Sequence, residues 1–132
     1  MIDSLSLVIQ AGGESRRMGE DKALKPFLGQ PLILRVIDRL QWLPGEILIT
    51  SSQPGKYAFL ELKVFPDLYP GRGALGGLHA ALFHASLPLV AVVACDMPFA
   101  SPGMLGRMVE VMEKEMVDVV VPYSETGWEP MH

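Results

Sequence analysis

"LVIQAGGESRRMGEDK", residues 7–22, opens as an apolar strand, breaks at Ala11-Gly12-Gly13, and then sets Arg16, Arg17 and Lys22 close behind the glycines. Glycines lack Cβ atoms, so a ligand can approach their backbone closely. Successive backbone N–H groups in such a turn can cradle phosphate oxygens. Arg17 offers those oxygens a planar fork, and Lys22 a mobile point charge. Gly-Gly alone reads more readily as an ordinary turn with solvated charges, because short motifs often match by chance. Arg17 and Lys22 in the same loop tip the reading toward an anion site. The loop has neither the Gly-x-x-x-x-Gly-Lys-Ser/Thr of a Walker A loop nor the Gly-x-Gly-x-x-Gly of dinucleotide-binding dehydrogenases, so a nicotinamide cofactor is unsupported.

Working outward, strands and helices alternate. Residues 5–10 form the first strand. Pro31 opens a helix, where its missing N–H does no harm, with Ile33, Val36, Ile37 and Leu40 on one face. Residues 46–51 read as a second strand, 55–60 as a short helix, and 63–65 as a third strand stopped by Pro66-Asp67. Leu75, Leu78 and Leu82 mark a helix beginning near Gly73. Residues 89–95 are almost wholly apolar, as in a strand covered on both faces. Ser101-Pro102 supplies an N-cap and first helical residue, and that helix runs to about Glu115. Residues 118–122 read as a final strand. Repeated strand–helix–strand units predict an α/β fold, a three-layer α/β/α sandwich with a mainly parallel sheet.

Ligands of such sheets bind beyond the carboxyl ends of the strands. The polar residues fall there: Gly12 to Arg17 after the first strand, Thr50-Ser51-Ser52 at the end of the second, Asp67 after the third and Asp96 after the fourth. Asp96 suits a magnesium ion, which is commonly held by one or two carboxylates plus substrate phosphates; a turn or capping aspartate is the competing reading. Asp67 precedes the glycine-rich stretch 70–77, where a helix N-terminus favours anions, although a plain surface loop explains that segment equally well. Met104, Met108, Met112 and Met116 recur at helical spacing and read as a packed core stripe. His79 and His84 have no obvious acid–base partner and receive no role. Cys95 reads as buried at a strand end, not as a nucleophile.

The 132 residues, 49% hydrophobic, suit one domain with a substantial core. A net charge of −4 argues against nonspecific nucleic-acid binding. A single cysteine precludes an intrachain disulfide and fits a reducing cytoplasm. No Cys/His cluster has zinc-ligand spacing. No basic stretch followed by a long apolar run opens the chain, so no signal peptide is expected. Nor is any apolar run long enough to span a membrane.

The motif Ala11-Gly12-Gly13-x-Ser15-x-Arg17-Met18-Gly19-x-Asp21-Lys22-x-Leu24, followed by Gly29-x-Pro31-Leu32, closely resembles the nucleotidyltransferases that build molybdenum cofactor dinucleotides. Asp67 with Gly73-Ala74-Leu75-Gly76-Gly77, then Cys95-Asp96-Met97-Pro98-Phe99, then Gly127-Trp128-Glu129-Pro130, resemble later motifs of the same family in the same order. The Ala-Gly-Gly form and the glycine cluster favour the guanylyl over the cytidylyl branch.

The resemblance implies a Rossmann-like nucleotide-diphospho-sugar transferase fold. It also implies transfer of GMP from GTP to molybdenum-molybdopterin, with pyrophosphate released. By motif position it makes Arg17 and Lys22 catalytic, stabilising the phosphates. Ala11, Gly12, Gly13, Lys22, Thr50, Asp67 and Asp96 become nucleotide-binding residues, with Mg²⁺ on Asp96. The implied partners are GTP and a molybdopterin-type acceptor, together with molybdoenzymes or other cofactor-biosynthesis proteins, but neither nucleic acid nor membrane. The family usually has asparagine after the second strand, where this chain has Thr50-Ser51-Ser52; hydroxyls would replace part of that hydrogen bonding. Family members also continue beyond the position of His132, so residues 1–132 are expected to be one nucleotidyltransferase-like domain lacking the family's C-terminal portion. Cytidylyl transfer to molybdopterin, sugar-phosphate nucleotidyl transfer, and a noncatalytic nucleotide-binding remnant are the alternatives.

Overall fold

Leu5, Leu7, Val8 and Ile9 are all but completely buried. Consecutive residues of a strand point to opposite faces, so this run demands a central strand covered on both sides. A computed structural model, describing residues 1–11, 26–27, 30–51, 53–66, 73–95, 101–121, 123–124 and 127–128, places it there. In chain order the elements are β1 (Ile2–Ala11), a small hairpin of β2 (Pro26–Phe27) and β3 (Gln30–Pro31), α1 (Leu32–Leu40), β4 (Pro44–Ser51), a 3₁₀ helix (Pro54–Leu60), β5 (Lys63–Pro66), α2 (Gly73–His84), β6 (Leu89–Ala94), α3 (Pro102–Glu115) and a second hairpin of β7 (Tyr123–Ser124) and β8 (Gly127–Trp128). β5, β4, β1 and β6 form a four-stranded sheet in that order, every pair parallel. The predicted α/β architecture is the observed one.

The two faces are packed differently. Leu7, Ile9 and Ala11 point into a core with Ile33, Val36 and Leu40 of α1, Tyr57 of the 3₁₀ helix, and Leu105 of α3. Val8 and Leu48 point the other way, against Ala81 of α2. On that second face the described residues that α2 buries are Gly76, Gly77, Ala80 and Ala81, while Leu78 and Leu82 stay exposed. The helix expected from Leu75, Leu78 and Leu82 begins at Gly73 as predicted, but Leu78 and Leu82 do not dock it. Small side chains let the helix backbone approach the sheet more closely than leucines would.

α3 starts as predicted. Ser101 Oγ accepts a hydrogen bond from the Met104 N–H at 3.1 Å, with Pro102 in the first turn. Its buried side chains are Leu105 and Val109, with Met108 packed on the core. Met104 and Met116 are exposed, which corrects the reading of the four methionines as one core stripe: the buried face is set by Leu105 and Val109. Met116 also lies just past the helix, in the left-handed region at φ 55°. Residues 118–121 are not a strand, contrary to expectation, and Val119 is exposed. A strand needs a ladder partner, and no described strand pairs with this segment.

Polar groups tie the amino end of the sheet together. Glu46 Oε2 accepts hydrogen bonds from Ser6 Oγ, from the Ser86 N–H at 2.9 Å and from Ser86 Oγ at 2.5 Å. Ser6 Oγ in turn accepts from the Leu87 N–H at 3.2 Å. Partial burial pushes the Glu46 carboxyl up, but the Ser6 and Ser86 hydrogen bonds and the Lys63 charge outweigh it and hold the group below its ordinary value. No helix among the described residues is long and apolar enough to cross a membrane.

Candidate functional site

The carboxyl edge of the sheet is aligned by register. Ala11 lies opposite Ser51, Gln10 opposite Thr50 on one side and Ala94 on the other, and Ser51 opposite Pro66. The Cys95 N–H donates to the Gln10 carbonyl at 3.0 Å, so β6 stops level with β1. Three of the predicted site residues come next in the chain after these aligned ends: Gly12 follows Ala11, Asp67 follows Pro66, and Asp96 follows Cys95. Successive crossovers run from β1 to β4 and β5 on one side, then return to β6 on the other. The gap between β1 and β6 is thus the switch point where a crevice opens in sheets of this kind.

Of the predicted site residues, Ala11 and Thr50 are described, and the structure brings them onto neighbouring strands at this edge. Gly12, Gly13, Arg17, Lys22, Asp67 and Asp96 lie outside the described residues. Thr50 is 1% exposed, and its Oγ1 is buried without a hydrogen-bond partner. The Gln53 N–H donates to Ser51 Oγ at 3.0 Å. Cys95 is buried, as expected. Among the described residues, no group of three or more His, Cys, Asp or Glu is arranged to hold a metal.

Sequence reasoning passed over Gln10. Its Nε2 is buried without a hydrogen-bond partner, beside the equally unpartnered Thr50 Oγ1 of the facing strand. The available signal was one amide in the otherwise apolar run Leu7-Val8-Ile9-Gln10-Ala11. Buried polar groups are normally paired; among the described residues the carboxyl edge of β1 and β4 holds two of the three unpaired side-chain atoms, the third being His84 Nε2 at the far end of α2. His84 has a packing role, its ring stacked on Phe65 with centroids 4.1 Å apart. A separate apolar groove of about 270 Å³ runs along β6, lined by Leu78, Leu82, Val90, Met108 and Val121 among others; it contains none of the predicted site residues.

Comparison with known proteins agrees with this layout. Residues 7–132 match the family described as the MobA-like NTP transferase domain. The chain is 41% identical over 124 residues to a probable molybdenum cofactor guanylyltransferase of Pelotomaculum thermopropionicum, covering 94% of this chain and 60% of that protein. It is 34% identical over 131 residues to the molybdenum cofactor guanylyltransferase of Desulfosudis oleivorans, covering 98% of this chain and 64% of the relative. The chain thus spans less than two thirds of either protein. The crystal structure of molybdopterin-guanine dinucleotide biosynthesis protein A from Archaeoglobus fulgidus superposes with a TM-score of 0.76 at 27% identity, over 96% of this chain and 64% of that one. With the first loop, the parallel sheet and a family match from Leu7 to the last residue all in agreement, the chain belongs to the MobA-like nucleotidyltransferases.

Proposed function

We propose that this chain builds the nucleotide side of a site that transfers GMP from GTP to molybdenum-molybdopterin, forming the guanine dinucleotide cofactor and pyrophosphate. The observation that carries this reading is the alignment of the carboxyl ends of β1, β4, β5 and β6. It sends the chain into Gly12-Gly13, Ser52, Asp67 and Asp96 from four adjacent points. The backbone from Ala11 to Gly13 faces the phosphates, Arg17 and Lys22 neutralise them, and Asp67 and Thr50 hold the guanosine portion.

Nucleotidyl transfer in this family implies a divalent metal, and we assign Mg²⁺ to Asp96. The chemistry fits: one hard carboxylate follows the strand end beside β1, and substrate phosphate oxygens supply the remaining ligands. When bound, the ion would supply positive charge that offsets the negative charge of the phosphates. The terminal phosphate of molybdopterin attacks the α-phosphate of GTP, forming the new phosphoanhydride as the bond to pyrophosphate breaks. The protein contributes alignment and charge neutralisation, with no covalent intermediate.

Calorimetric titration with GTP, CTP and ATP in the presence of Mg²⁺ tests the base assignment. GTP should bind at least about tenfold more tightly, or about 1.4 kcal/mol; equal affinities would remove it. Because the relatives are longer, transfer is a separate test. Chromatographic detection of the dinucleotide from GTP and molybdopterin supports an enzyme, whereas tight GTP binding without product favours a binding remnant.

A further inference from the structure

We propose that Gln10 is a positioning residue for the nucleotide, setting through Gly77 the separation between the end of β1 and the first turns of α2. The inference rests on the nucleotide-site reading above. Gln10 occupies a junction. Its carbonyl accepts from Cys95 of the β6 end, its Cα is in register with Thr50 of β4, and the next residues are Ala11-Gly12-Gly13. Its side chain lies across the α2 backbone. A Cβ built on Gly77 would fall 2.6 Å from Gln10 Nε2, 2.8 Å from Cδ and 3.2 Å from Oε1. No side chain fits at position 77 while Gln10 keeps its place.

Among the described residues at this end of α2, only Gly76, Gly77, Ala80 and Ala81 are buried, and none of them is large enough to fix the helix's height above the sheet. Toward its other end the stacked Phe65 and His84 rings do that work. Near Gly77 the spacer is the Gln10 side chain. An apolar residue of similar length would space the helix without burying an unpaired amide. The structure keeps the amide, with Nε2 buried and unpartnered and Thr50 Oγ1 in the same condition on the neighbouring strand. Each unpaired group opposes folding, and here, unlike at the single His84 Nε2, two of them occur at register-paired positions on neighbouring strands. A bound polar group at the ligand edge accounts for both.

The separation between the end of β1 and α2 at Gly77 is therefore set by one side chain against one glycine. The test uses Gly77→Ala, Gln10→Ala and the double variant, with GTP–Mg²⁺ affinity by calorimetry and melting temperature measured on each. Gly77→Ala should raise Kd roughly tenfold, and Gln10→Ala roughly threefold. The double variant should be no worse than Gln10→Ala, because the added methyl enters the space the amide leaves; such coupling is expected of residues in contact.

A Gln10 that merely stabilised the fold would move melting temperatures and leave the Kd of folded protein alone. An unchanged Kd for folded Gln10→Ala overturns the proposal, as does a double variant whose Kd rises by the product of the two single effects. Should Gly77→Ala not fold, Gln10→Ala decides by the same criterion. If the unsubstituted chain binds no nucleotide, the functional reading and this inference both fall. If it binds and Gln10→Ala binds equally well, only this inference falls.

Discussion

β1 and β4 carry two polar cross-strand pairs in the same register, Ser6 opposite Glu46 and Gln10 opposite Thr50, four residues apart and so on the same face. The first pair is saturated: Ser6, Ser86 and Leu87 close a hydrogen-bonded ring around Glu46. The second has two buried groups with no partner at all. Burial does not explain the contrast, since Ser6 is 0% and Thr50 1% exposed. Position does. The saturated pair lies at the amino end of the parallel sheet, where polarity fastens the α2–β6 connection to two strands. The open pair lies at the carboxyl end, where sheets of this topology receive ligands. One end is closed by its own polypeptide, and the other leaves two side-chain polar groups unpaired.

The sharpest way to break this contrast is to remove charge from the ligand end. Lys22→Ala and Asp96→Ala should each lower nucleotidyl transfer on the order of 10²-fold, about 2.7 kcal/mol of transition-state stabilisation. Their thermal unfolding should stay close to that of the parent. If instead the lost activity tracks unfolded protein, these residues belong to the structural end of the comparison.

Glu46 should show the opposite profile. Glu46→Ala leaves the buried Ser6 hydroxyl and the Ser86 N–H without their acceptor, a loss of about 1–3 kcal/mol in urea denaturation. GTP affinity should not change. pH reports the same network. The Glu46 carboxyl is held below its ordinary value in the folded state, so it binds protons less readily there than in the unfolded chain. Its contribution is present above the unfolded value near 4.5 and is lost as pH falls through the lower folded value. Unfolding free energy should therefore fall below about pH 4.5, and the Glu46→Gln variant should lose part of that slope. An identical pH profile in the variant would separate Glu46 from acid stability.

These end-to-end differences were only partly legible in the sequence. The apolar run from Leu7 and the Ser101-Pro102 cap were enough for the sheet and its helices, because each rests on local periodicity or backbone chemistry; the ligand edge rests on the residues that follow each strand, most of them outside the described residues. The docking face of α2 was not legible. Leucine spacing marked the helix, while its described buried positions are glycine and alanine, and only tertiary distance shows which residues face the sheet. Residues 118–121 failed as a strand for a related reason: an extended apolar pattern becomes a strand only beside a partner. Glu46 and Gln10 were invisible because their meaning lies in partners distant in sequence, present for one and missing for the other. Asp96 and Lys22, by contrast, were read from their places after a strand end and in the glycine loop as well as from the motif, and both lie outside the described residues.

The smallest expected effect is the most diagnostic. Thr50→Val keeps the shape of the side chain and deletes a hydroxyl that has no partner in the protein. Replacing an unsatisfied buried polar group by an apolar isostere is neutral or favourable, so unfolding free energy should stay level or rise, by no more than about 1 kcal/mol. Ser6→Ala, its counterpart at the saturated end, should cost about 1 kcal/mol because real hydrogen bonds are lost. The two substitutions should also differ in whether they affect binding: Thr50→Val should weaken GTP roughly three- to tenfold, about 0.7–1.4 kcal/mol, while Ser6→Ala should leave it unaltered. If Thr50→Val destabilises the fold as much as Ser6→Ala and leaves GTP affinity untouched, the carboxyl end holds no reserved hydrogen-bonding capacity and the two pairs differ only in geometry.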